Sequence, residues 1–185
     1  MTRRPPVRPR PRRALWWLLA IALTGAALAW LAFAPLATAP TDVESGRLLG
    51  KPAPPLHGET LDGSAVDLAV DGHGRLTWIN FWATSCEPCR SEMPAMQAIS
   101  EQHRDDLLVL GVNWGEARDA VADFADRYAV RYPVVLDPTL DTYYAWNVSD
   151  GLPRHFFVDG DGIVVREVIG PLDPDDMVAL VDELL

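Results

Sequence analysis

An α/β fold is what this sequence predicts, and three observations predict it. Short apolar runs of strand length alternate with segments of helical period along the second two-thirds of the chain. Glycine-bearing turn signals open and nearly close that series. With 185 residues and 49% of them apolar, the chain can bury one proper core without cross-links.

Taken in order, PLHGETLDGSAVDL holds two short segments about a glycine turn, a β-hairpin pattern. Leu76 to Trp82 (LTWINFW) has strand length and no polar face, so it reads as buried on both sides. Pro88 to about Arg104 turns helical, with Met93, Met96 and Ile99 at threefold spacing and Pro94 expected to kink it. Leu107 to Trp114 is a second central strand. Ala117 to Ala129 is a helix whose Val121, Phe124, Ala125 and Tyr128 share one face. Pro133 to Leu136 is a short strand, followed by a brief helical piece around Tyr143 to Trp146. Arg154 to Val158 and Ile163 to Ile169 flank Asp159-Gly160-Asp161-Gly162, a hairpin signal. In the last helix Pro174 takes the first position, Asp173 can cap it, and Met177, Leu180, Val181 and Leu184 form the apolar stripe.

Ahead of this body the composition changes three times. Residues 1–13 carry six arginines and no acid, a basic head. Residues 14–34 are uncharged and apolar, and as a helix would span roughly 30 Å, the thickness of a bilayer core. Trp16, Trp17 and Trp30 lie towards the ends of that span, as interfacial aromatics do, and the arginines before it set the N-terminus in the cytoplasm. The alternative is a cleaved signal peptide ending at Ala37-Thr38-Ala39; the length of the apolar run and Pro40 after the cut speak against it. Residues 35–55, rich in proline and small polar residues, read as a linker, and 56–185 as the folded domain. The expected location is the extracytoplasmic side of a bacterial cell membrane, single-pass.

The chain has 16 basic and 26 acidic residues, so without its six-arginine head it keeps ten basic against 26 acidic, a net of −16. Such a body repels nucleic-acid phosphates, and no nucleic-acid partner is expected.

The only cysteines are Cys86 and Cys89, in INFWATSCEPCR, where the first central strand passes into a helix. Three readings compete. A structural staple is weak, because so short a loop loses little closure entropy. A zinc site lacks its other ligands, since His57, His73, His103 and His155 are scattered; a copper site on both cysteines and His155 stays conceivable. A redox dithiol fits the position best. At a helix start the first cysteine meets unpaired backbone N–H groups and the positive end of the dipole, and both favour the thiolate nucleophile. Cys86 is then the attacking thiol and Cys89, one turn on, the resolving one, with Pro88 opening the helix without wasting a donor.

NFWATSCEPCRSEMP, LLVLGVNWGE, YPVVLDP, GLPRHFFVDGDG and the closing helix together resemble the membrane-anchored, thioredoxin-like thiol-disulfide oxidoreductases of the ResA/TlpA group, over about residues 50 to 185. The resemblance implies a thioredoxin-like fold: a central mixed sheet flanked by helices, with an N-terminal β-hairpin, behind the transmembrane helix. It implies a cis peptide at Leu152-Pro153, in a loop that faces the dithiol and binds substrate, with Trp82 as a further substrate-binding residue. Glu92 matches the family's acid three residues beyond the second cysteine and, at i+3, can reach Cys89; otherwise it is a solvated helix glutamate. Asn80 stands where ordinary thioredoxin has a proton-accepting aspartate. It cannot ionise, which leaves Glu92 to move the Cys89 proton.

Glu87, between the cysteines, disfavours the neighbouring thiolate and so makes the couple a donor of electrons. A reductant in an oxidising compartment needs recharging. No nicotinamide, flavin or haem motif is present, and no cofactor is expected. The resemblance implies a membrane thiol reductase as electron source and the disulfide of apocytochrome c, or of another exported protein, as substrate. The alternatives are a copper-carrying module and a broad exported oxidase or isomerase. Two departures bear on the substrate. Ser85 stands where the family mostly has tryptophan, and Arg154 stands where a small hydroxyl residue is commoner. Arg154 could recognise an acidic partner, pair with Glu92, or simply be a solvated edge charge; His155 reads as filling a strand face.

Overall fold

The computed structural model describes residues 47–149 and 151–185. The basic head, the apolar span of 14–34 and most of the 35–55 linker lie outside the described residues. Among the described residues no helix is long and apolar enough to cross a membrane.

The chain enters a small hairpin, β1 (His57–Glu59) and β2 (Ala65–Asp67), then a four-residue helix α1 (Leu68–Asp71). There follow β3 (Leu76–Trp82), α2 (Glu87–Gln102), β4 (Leu107–Trp114), α3 (Arg118–Arg127), β5 (Val134–Asp137), α4 (Asp141–Ala145), β6 (Arg154–Val158), β7 (Val164–Ile169) and α5 (Pro174–Leu184). Each element expected over residues 56–185 is present within a residue or two, and α1 is the addition. Five strands form one sheet in the order β5-β4-β3-β6-β7, with β3 paired parallel to β4 and antiparallel to β6. This is the mixed sheet of a thioredoxin-like fold, and β3 is its centre.

The apolar run of β3 is explained by that place. All seven of its residues are buried, because helices or loops cover both faces. On one face Trp78 and Trp82 pack with Met93, Met96 and Ile99 of α2 and with Val121 and Phe124 of α3. On the other, Ile79 and Phe81 pack with Phe156, Val158 and Trp146. Each such fully buried side chain contributes on the order of 1.5–3 kcal/mol against exposure. Gly111 of β4 is required by this packing. A Cβ there would lie 2.9 Å from the Trp82 ring nitrogen and 3.0 Å from Tyr132.

The N-terminal stretch bonds to the start of each edge strand of the sheet. Gly50 N–H donates to Val164 at 2.8 Å and Val164 N–H to Lys51 at 2.9 Å, so residues 50–53, read above as linker, lie along the start of β7. At the other edge Leu61 N–H donates to Val134 of β5 at 2.7 Å. In the β6–β7 turn, Asp159 Oδ1 accepts from the N–H groups of Asp161 and Ile163 while Gly162 adopts φ +82°. Asp173 stands at the N-cap of α5, yet its side chain makes no capping hydrogen bond.

Candidate active site

The end of β3 delivers the chain into a tight turn, in which Cys86 N–H donates to Ala83 at 3.1 Å, and α2 starts at the next residue. Cys86 is the N-cap of α2. Its Sγ accepts from Cys89 N–H at 3.2 Å, so the sulfur itself satisfies one of the orphan donors of the helix start. Cys86 and Cys89 form a disulfide across 5.3 Å between their α-carbons. The two sulfurs are not equivalent: Cys86 is half-buried, whereas Cys89 is 1% exposed and packs into the core under α2. A partner can approach only the first.

The turn is fastened from β4. Glu116 accepts from Thr84 N–H at 2.8 Å and from the Thr84 hydroxyl, and also takes the Asn113 amide at 2.7 Å. This anchor was missed in the sequence, although Asn113 and Glu116, three apart at the end of a central strand, were its signal.

Glu92 is not the solvated helix glutamate of the bland reading. It is 3% exposed, one turn below Cys89 on α2. Its Oε1 accepts from Leu172 N–H in the loop ahead of α5 and lies 3.3 Å from His155 Nε2. Its Oε2 is buried with no hydrogen-bond partner. Tyr132 feels this buried site. Desolvation first, and the Glu92 charge second, push its phenol well above the ordinary 10.0.

Asn80 also lies beneath the cysteines, 1% exposed and paired in register with His155 on β6. Both Asn80 Nδ2 and Trp78 Nε1 are 3.2 Å from His155 Nδ1. His155 therefore does fill a strand face, but that face is the one carrying Glu92. Its Nδ1 faces Trp78 and Asn80 and its Nε2 faces Glu92, so both ring nitrogens are directed at this buried polar group.

Three expectations need correction. Trp82 is 0% exposed and packs on Phe124 with ring centroids 5.2 Å apart, so it supports the site from below and touches no substrate. Arg154 neither pairs with Glu92 nor sits solvated at an edge. It is 2% exposed, points to the opposite face from His155, and its Nε donates to Glu167 at 3.0 Å. Glu87 is exposed and forms an i, i+3 ion pair with Arg90, which dilutes its effect on the Cys86 thiolate.

Leu152–Pro153 is cis, as the resemblance implies. Arg154 stands opposite Phe81, so Pro153 lies at the end of β3 from which the chain passes to Cys86. The proline ring is buried and Leu152 half-buried, which leaves mainly backbone for a partner to meet.

A half-exposed helix-capping sulfur, bonded to a buried one on this scaffold, defines the thioredoxin-like thiol-disulfide oxidoreductases as the class. Residues 48–185 match the Redoxin family, and the chain belongs to that family. It is similar to the thioredoxin-like protein YneN of Bacillus subtilis, 33% identical over 72% of this chain and 79% of that one. It is similar also to the thiol-disulfide oxidoreductase ResA of the same organism, 36% identical over 66% and 68%. Among solved structures, a thiol:disulfide interchange protein of the thioredoxin family from Chlorobium tepidum superposes with a TM-score of 0.66 at 29% identity, covering 72% of this chain and 94% of its own. These likenesses place the protein in the ResA/TlpA-type group, as a protein-disulfide oxidoreductase.

Proposed function

We propose that this oxidoreductase works as an exported, membrane-tethered reductant, and that its client is the disulfide of apocytochrome c or of another exported protein. The observation that carries the chemistry is the pairing of a reachable Cys86 with a buried Cys89 above an uncompensated buried carboxylate, Glu92. In the reduced protein the Cys86 thiolate attacks a client disulfide. One client sulfur leaves as thiolate, and a mixed disulfide forms between Cys86 and the other. Cys89 then loses its proton to Glu92 and attacks Cys86 Sγ, which releases the second client thiolate and closes the Cys86–Cys89 disulfide. Two electrons pass to the client. Asn80, which cannot ionise, takes no proton in this sequence, and Pro153 and Leu152 shape the surface on which the client lies.

The tether is the apolar span of residues 14–34, with its arginine head in the cytoplasm. Two electrons must be returned after each cycle, and a membrane thiol reductase beside the tether is the source this reading requires. The deciding experiment is the reduction potential of the full-length chain in detergent, poised against glutathione or dithiothreitol buffers. A dedicated reductant gives a value near roughly −270 mV. A value near about −120 mV makes the protein an oxidant and removes the apocytochrome reading.

A further inference from the structure

Glu92 is held from two sides, and one of its holders has only one way to act. Trp78 Nε1–H can donate and cannot accept, and it points at His155 Nδ1 from 3.2 Å. The Nδ1 lone pair is thereby occupied, with the Asn80 amide at 3.2 Å beside it. A neutral imidazole then carries its proton on Nε2, the atom 3.3 Å from Glu92 Oε1. Leu172 N–H donates to the same oxygen. Both N–H groups face Oε1, that of Leu172 as a hydrogen bond and that of His155 from 3.3 Å without one, and Oε2 is buried with no hydrogen-bond partner.

We propose that His155 is a positioning residue for the resolving step, locked by Trp78 as an Nε2–H donor that, with the Leu172 N–H, pins one oxygen of Glu92 and leaves the other to take the Cys89 proton. This rests on Glu92 as proton acceptor and adds how that carboxylate is kept aimed. His155 is not itself a relay. A second proton on Nδ1 would face the Trp78 N–H, and loss of the Nε2 proton would make an imidazolate. The proton therefore stops at Glu92. The 3.3 Å separation is long and poorly aligned for a hydrogen bond in the disulfide form.

Two conservative substitutions separate this role from packing. His155→Asn keeps an acceptor near the Nδ1 position for Trp78 and loses the donor to Glu92. His155→Gln supplies an amide N–H near the Nε2 position and loses the acceptor. The measurement is the single-turnover release of a short peptide dithiol from its mixed disulfide with the full-length chain. The expected result is about a tenfold slower release in His155→Asn and a rate within about threefold of the parent in His155→Gln. In a Glu92→Gln background, His155→Asn adds nothing further. A packing role predicts the reverse order, because His155→Asn is the variant that keeps Trp78 paired. Nitrogen NMR of the parent protein at neutral pH should show Nδ1 bare and Nε2 protonated, independently of any variant.

If Glu92→Gln slows release while His155→Asn does not, or if His155→Gln is as slow as His155→Asn, the role of His155 is refuted and Glu92 stands. The opposite tautomer, or an imidazolium, refutes it equally. If Glu92→Gln is as fast as the parent, the reading of Glu92 falls and this inference with it.

Discussion

Arg154 and His155 are neighbours on β6, and they look into opposite layers of the molecule. On one side Arg154 meets Glu167, a buried cation against a buried anion. On the other, the buried Glu92 has only a neutral-capable imidazole and a backbone N–H for company. A neutralised pair tolerates burial because each charge offsets the desolvation of the other. A carboxylate with one oxygen unpaired has no such offset in a low-dielectric site. Adjacent residues thus separate the two uses of buried charge: one holds the strand, the other is poised to react.

The sharpest way to break this contrast is Glu167→Ala. It removes the carboxylate that faces the buried Arg154 guanidinium and should cost about 3–5 kcal/mol in urea unfolding, while the disulfide-exchange rate of the surviving folded protein stays near that of the parent. If instead the rate collapses and the stability holds, the two sides have been assigned the wrong way round. Glu92→Gln is the mirror experiment. Exchange should slow by about a hundredfold, the scale of a lost general base, with stability changed by less than about 1 kcal/mol. Thr84→Val tests the turn that carries Cys86. Removal of one hydroxyl bond to Glu116 should cost about 1–2 kcal/mol and lower the exchange rate by less than Glu92→Gln does.

Tyr132 sharpens the contrast from the alkaline side. Its folded phenol titrates above its unfolded value of 10.0, so the native state holds a proton that the unfolded chain gives up. Stability is therefore fully present below about pH 10 and declines as pH rises beyond it. Tyr132→Phe should remove that part of the decline. It should also stabilise the neutral-pH protein by about 1 kcal/mol, because the hydroxyl is buried without a partner. The smallest effect belongs to the surface. Glu87→Gln breaks an exposed pair with Arg90, and its stability should change by less than about 1 kcal/mol. Any movement of the reduction potential should be upward, since a negative neighbour of the thiolate is lost.

The strands and the cysteine pair at the junction of β3 and α2 were legible because their signals are local, whereas the cis peptide came only through the family resemblance. Apolar runs, turn residues and the C-x-x-C spacing lie within a few positions of one another. What was illegible depends on register. Asn80 and His155 are 75 positions apart, and they meet only because β6 pairs with β3 at that offset. A slip of one residue would exchange Arg154 with His155 and put a guanidinium beside Glu92. The burial of Arg154 was equally hidden, since its partner Glu167 stands on another strand. Trp82 was misplaced for a related reason: it ends β3 close to the cysteines in sequence, but strand alternation turns it into the core. The helix α1 went unseen because four residues are too few for a period to show.

Gly111 carries a consequence for how this molecule can drift over evolutionary time. Its missing side chain is the room that the Trp82 indole and the Tyr132 ring occupy, so no single replacement at position 111 is free. A lineage that gained even an alanine there would have to displace or shrink the ring at position 82 or 132. A smaller ring arising alone would leave a void beneath the cysteine turn. The three positions are thereby coupled in what they can become, and the floor of the redox site inherits that conservatism without making any contact with a client.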